Sequence, residues 1–143
     1  MLFKRVSRAA AEQVFIVVKN VCGSTMTAGY ACVFDCSASV DGVRVTKPET
    51  TDMQAFAGIV DADIANNEYG LVQVYGYRSA VYIYSSTGSS VAGDNLTVVG
   101  DIWGLTPAAS VGTSKAFGFL CEAVALSTSS QYYSNKKAFI RAL

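Results

Sequence analysis

No histidine occurs anywhere in the 143 residues of the chain. That absence removes the Ser/His and Cys/His nucleophile pairs and every histidine-bound metal site, because imidazole is the group that moves protons and binds metals near neutral pH. Charge is scarce as well: 15% of residues are Asp, Glu, Lys or Arg, against roughly 25% in ordinary soluble domains. No apolar run approaches the roughly 18–20 residues of a membrane-spanning helix; the longest near the start is 14–18. The opening MLFKRVSRAAAEQ turns charged and polar where the apolar stretch of a signal peptide should run, so no leader is expected. The four cysteines (Cys22, Cys32, Cys36 and Cys121) lack the paired C-x-x-C spacing of a zinc knuckle. Helical periodicity does not persist beyond the first dozen residues, and no repeat of solenoid or propeller length is visible.

What remains is apolar and evenly balanced. Hydrophobic residues make up 51% of the chain, mean hydropathy is +0.31, and 11 basic residues offset 11 acidic ones. This length fits one domain with a core of its own. A surface so poor in charge is weakly protected against association, which points to an oligomer or an assembly subunit. The basic residues gather only at the two ends, at Lys4, Arg5 and Arg8 and at Lys136, Lys137 and Arg141. Nucleic acid is therefore not expected as a direct partner.

Residues 1–12 read as a basic N-terminal arm, extended or briefly helical, and 13–143 as a single β-domain. QVFIVVKNV (13–21) reads as a buried strand and YACVFDC (30–36) as the next, and SVDGVRVTKP (39–48) carries an Asp-Gly turn before alternating Val43 and Val45. AFAGIVDADI (55–64) is a strand, ANNEYG (65–70) a corner, and LVQVYGYRSAVYIY (71–84) a long strand or a strand pair. Gly76 within that last run suggests a bulge, a bend or a close backbone approach. LTVVGDIWGL (96–105) reads as a strand with a break at Gly100, and AFGFLCEAVAL (116–126) and KAFIRAL (137–143) as further strands, with STSSQYYSNK (127–136) a polar loop. The expected fold is all-β, a compact β-barrel or jelly-roll-like β-sandwich.

Few residues invite chemistry. Asp61, Asp63 and Glu68, with the amides of Asn66 and Asn67, offer oxygens of the kind calcium takes, but they lack the loop glycine and ligand spacing of an EF-hand. Strand alternation instead puts Asp61 and Asp63 on a solvated face, with Ala62 and Ile64 inward and the Asn pair forming a turn. No catalytic residue, metal or cofactor is expected. The cysteines read as buried free thiols, Cys32 and Cys36 sharing one strand face; a Cys22–Cys121 bridge is left open by the spacing. Tyr69, Tyr75, Tyr77, Tyr82 and Tyr84 suit a half-buried strand or an interface, and in a carbohydrate-binding β-module they would serve as a stacking platform. Tyr75, Tyr77, Tyr82 and Tyr84, with Phe3, Lys4, Arg5 and Arg8 of the arm, are the expected interface residues.

The phrase FAGIVDADIANNEYGLVQVYG (56–76), followed in order by AGDNLTV, a Gly-Leu turn, AFGFLCEAVAL and a terminal KAFIRAL, resembles the head decoration, or capsid cement, proteins of tailed bacteriophages. The likeness covers residues 55–143. It implies a non-enzymatic virion protein, made in the host cytoplasm, that binds the capsid exterior through the major capsid protein. A homotrimer that spans joints between capsomers is implied too, with no membrane involved. Another virion subunit (capsid, tail or fibre base) is the alternative.

Overall fold

The β-branched and aromatic runs form nine strands in the computed structural model, which describes residues 12–37, 41–85, 89–108, 115–124 and 132–142, with Tyr132 described by its backbone alone. They are β1 (Gln13–Asn20), β2 (Ala31–Phe34), β3 (Arg44–Thr46), β4 (Phe56–Val60), β5 (Tyr69–Ser85), β6 (Asn95–Val98), β7 (Leu105–Pro107), β8 (Gly118–Leu120) and β9 (Tyr132–Arg141). Among the described residues there is no helix. Two of the pairings, β1–β3 and β5–β7, run parallel, and the others antiparallel.

The 17-residue β5 organises everything else. Its first part pairs with β1 on one side and β4 on the other, and its last part with β7 and β9. Pairing thus closes twice through β5, once by way of β1, β3, β2 and β4 and once by way of β7, β6, β8 and β9. The fold is all-β and compact, but it is not one clear barrel. Each circuit has its own apolar cluster. Val18, Cys32, Val45, Val60 and Val72 belong to the first, and Val81, Ile83, Leu96, Leu105 and Ile140 to the second.

β4 lies between the two clusters, giving Ala57 and Val60 to one and Phe56 and Ile59 to the other. Every residue of β4 is buried, which is why FAGIV contains nothing polar. Its Gly58 has φ +144, and a Cβ there would stand 2.3 Å from the Gln73 carbonyl oxygen, so only glycine lets β4 lie so close to β5.

Along β5 the buried aliphatic side chains are even before the bend (Val72, Val74) and odd after it (Val81, Ile83), with Gln73 and Tyr84 buried on the opposite phase. The register against β9 slips between Arg78 and Val81, and that slip resets the phase. Gly76, with φ +104, is a close approach: a Cβ would fall 1.9 Å from the Glu12 carbonyl oxygen.

The run 96–105 breaks at Gly100 as expected and forms two strands: the chain turns at Gly100 and Asp101 (φ 64), and Val98 then pairs with Leu105. Three other strand expectations change. Residues 132–136, expected in a loop, belong to β9, where Tyr133, Ser134 and Asn135 register against Tyr84, Ile83 and Tyr82. A strand with one face outward tolerates such polar residues. β8 is only three residues long. β2 ends at Phe34, so Cys36 lies beyond it and is exposed rather than buried on a face shared with Cys32. All four cysteines are free thiols, with Cys22 and Cys121 half-buried.

Candidate interface surfaces

The acidic stretch after β4 is a clasp outside the strand, with Asp63 exposed and Ile64 buried as expected. β4 stops at Val60, so alternation no longer governs Asp61 and Asp63, and Ala62 is exposed where it was expected inward. Asp61 Oδ1 accepts from Arg78 Nη1 at 2.8 Å, and its carbonyl accepts from Arg78 Nη2 at 2.9 Å. Asp63 Oδ1 accepts the Ala28 N–H at 2.8 Å, and Asn66 Oδ1 accepts the Gly23 N–H at 3.0 Å. Asn67 turns the corner with φ 66, a conformation Asn tolerates better than most residues. Glu68 is exposed. Among the described residues no three His, Cys, Asp or Glu side chains converge as metal ligands.

Arg78 links this clasp to the bend of β5. Its Nε donates to the Ala80 carbonyl at 3.1 Å, and its Nη1 also reaches Gln73 Oε1 at 3.4 Å. Gln73 is fully buried, and its Nε2 lies 3.1–3.2 Å from the carbonyl oxygens of Tyr75, Gly76 and Tyr77. One amide thereby reaches three successive carbonyls just before the bend. No sequence motif announces this knot, since its members are brought together only by the bend.

The expected interface tyrosines divide into two aromatic groups. Tyr82 stacks on Tyr133 (centroids 5.7 Å) and leans on Tyr30 (5.3 Å), which stacks on Trp103 (5.1 Å); Tyr84 is buried and tilts against Tyr133 at 4.9 Å. Burial raises the Tyr82 hydroxyl above its ordinary pKa, helped by the neighbouring Tyr30 and Tyr133. Tyr75 meets Phe139 edge-on, and Phe139 stacks on Phe119, over which Arg141 lies at 5.9 Å. Tyr77 is half-buried. These rings turn their faces toward one another, so they suit packing better than a sugar platform, which needs free ring faces. Phe3, Lys4, Arg5 and Arg8 lie outside the described residues.

A surface of which the sequence singles out only Tyr69 lies on β1 and the start of β5. Val17 and Leu71 are cross-strand partners, exposed by 60% and 45%. Next to them Lys19 pairs with Tyr69, its Nζ 5.8 Å from the centroid of a ring that is 64% exposed. In sequence, QVFIVV looks like a strand buried on both faces, and nothing local distinguishes Val17 from Val18.

Two concavities are formed by described residues. One of about 230 Å³ is lined by Val21, Cys22, Asp35, Thr46, Glu49 and Asp52, among others. Asp35 at its wall is held below the ordinary carboxylate range, first by hydrogen bonds from Ser37 and then by Arg44, so it is an anion at neutral pH and no proton donor. The other, about 520 Å³, is an open groove beside Met53, Val98, Lys115 and Phe117. The two buried-side thiols are poor nucleophiles: burial pushes both Cys32 and Cys121 above the ordinary thiol value.

No family model matches the sequence, and neither does any curated protein. Among solved structures the fold matches the crystal structure of head fiber gp8.5 N base in bacteriophage phi29, with a TM-score of 0.52 at 14% identity. The superposition covers 92% of this chain and 96% of that one, so the likeness is one of fold along nearly the whole length of both.

Proposed function

We propose that the chain is a structural subunit of a bacteriophage virion, seated on the outside of the head, where it contacts the major capsid protein and bridges adjacent capsomers. The observation that carries this reading is the end-to-end match in fold to a phage head-fiber base. It is supported by a chain with no histidine and 15% charged residues, whose exposed surface includes Val17, Tyr69, Leu71, Val91 and Tyr133. Such a protein works by buried contact area rather than by turnover, and on this reading it is no enzyme and needs no cofactor. A homotrimer, assembled in the host cytoplasm before it joins the particle, is the state we favour. The basic arm then serves attachment.

The same match favours a second reading, in which the domain is the seat of a head fibre rather than a free-standing cement. The two part company in a cryo-EM map of the particle that carries the chain. Density for this fold spanning the joints of the shell supports cement, and density at the foot of a projecting fibre supports the base. Co-sedimentation of the purified chain with shells of the cognate major capsid protein tests both at once. Binding that saturates is expected, and a chain that stays at the top of the gradient at all concentrations would sink both.

A further inference from the structure

Among the described residues, one edge of β1 is unpaired along most of its length. The strand pairs with β5 along Gln13 to Lys19, but β3 reaches it only at Lys19 and Asn20. The Lys19 N–H donates to Val43 on the β3 side and the Asn20 N–H to Glu68 on the β5 side. Backbone groups alternate sides along a strand, so the N–H and C=O of Phe15 and Val17 point the way Lys19 does, where among the described residues no strand lies. The segment 13–18, QVFIVV, has no charge and no proline to repel a partner. Natural edges of this kind are charged, interrupted or covered. Beside this one stand the exposed side chains of Val17, Leu71 and Tyr69. Unpaired backbone next to apolar side chains is the combination that accepts an added strand.

The chain itself contains a fitting occupant. Residues 1–11 carry Leu2, Phe3 and Val6 between Lys4, Arg5 and Arg8, and none of the eleven acidic residues. The rest of the chain is left with eight basic against eleven acidic residues, so arm and body are opposite in sign. Glu68, exposed next to Tyr69, puts one of those acids at the patch. Residues 1–12 contain no Gly, Pro, Asn or Asp, and Ser7 is their one turn-favouring residue, so the segment is poor in the residues of tight reversals. Fully extended, 11 residues reach about 36–40 Å, well beyond the radius of gyration of about 15 Å for a domain of this size.

We propose that the free edge of β1, with Val17, Leu71 and Tyr69 beside it, receives residues 1–11 of a second copy of this chain as an added strand. The proposal deepens the self-association in the reading above and rests on it, and it is independent of what the assembly binds. A head-to-tail exchange of this kind closes into a ring when the rotation between copies allows, as a trimer requires.

The test uses the full chain. Unlabelled and ¹⁵N-labelled copies are mixed in urea, refolded together, sized by native mass spectrometry and treated with a short amine cross-linker. Cross-links between Lys4 and Lys19 should carry both isotopes as often as one. Val17→Arg and, as a second variant, Leu71→Arg set a like charge against the arm and should each reduce mixed-isotope links by about tenfold or more. Val91→Arg, at an exposed apolar site elsewhere, should leave them unchanged, and melting curves show that each variant folds. An oligomer whose Lys4–Lys19 links are single-isotope only, or undiminished in both variants, overturns the exchange while leaving capsid binding intact. A strict monomer overturns both the exchange and the self-association.

Discussion

Replacing Gln73 by Met tests whether the bend of β5 is held by one buried amide. The substitution keeps side-chain length and lets an apolar group occupy a fully buried site, so transfer alone would favour the variant. Against that, three backbone carbonyls lose their shared donor, of which the Gly76 carbonyl is the buried one and those of Tyr75 and Tyr77 are partly wet. Tyr77 keeps a second donor, Gln13 Nε2, at 2.7 Å. Arg78 loses only a long contact of 3.4 Å and keeps Asp61. A buried acceptor left unpaired costs about 1–3 kcal/mol, and a half-wet one less. The expected net loss is about 2–3 kcal/mol, or roughly 5–10 °C in Tm for a domain of this size. Urea unfolding of the full chain, followed by tryptophan fluorescence at Trp103 and by circular dichroism, measures it. Gln73→Glu should be worse, because a carboxylate offers only acceptors to three carbonyls. A Gln73→Met chain within about 0.5 kcal/mol of the parent would refute the argument, since that is the range of a surface change.

Three further outcomes follow from the same contacts. Asp61→Asn weakens an ion pair whose arginine side chain is 13% exposed and whose carboxylate is 40% exposed, and solvent screening holds the expected loss to about 1 kcal/mol; Glu68→Gln should fall within about 0.5 kcal/mol, and equal effects by urea unfolding would count against the clasp. Gly76→Ala drives a Cβ toward the Glu12 carbonyl at a φ of +104 and should cost more than about 3 kcal/mol, whereas Gly23→Ala, with φ +83 and nothing within 4 Å, should cost about 1 kcal/mol; similar melting points for the two would refute the close approach. Asp35 and Asp41 are both held below the ordinary carboxylate value of 3.8, Asp35 by Ser37 and Asp41 by the backbone N–H groups of Arg44 and Val43. Each therefore contributes stability above that pH and loses it as pH falls through the folded value, so Asp35→Asn with Asp41→Asn should flatten the fall in stability below pH 3.8, and an unchanged acid limb would contradict it.

The sequence by itself determined the fold class and most strand positions. Period-two runs such as RVT and NLTV, bounded by Asp-Gly and other small-residue turns, have no stable alternative to β-structure. The apolar run FAGIV was legible as a strand, and in the fold all five of its residues are buried. Gly76 was readable as a special position because glycine inside a long aromatic strand has no packing reason to be there. The tertiary structure decided the rest. Whether Asp61 faced solvent depended on where β4 stopped and on Arg78, which reaches both its carboxylate and its carbonyl from β5. The role of Gln73 depended on the carbonyls of Tyr75, Gly76 and Tyr77 lying within reach of its amide. Val17 and Val18 are identical in chemistry and adjacent in sequence, yet one is fully buried and the other 60% exposed. That difference is set by which strands lie beside and beneath β1, a matter of long-range pairing that no local window contains.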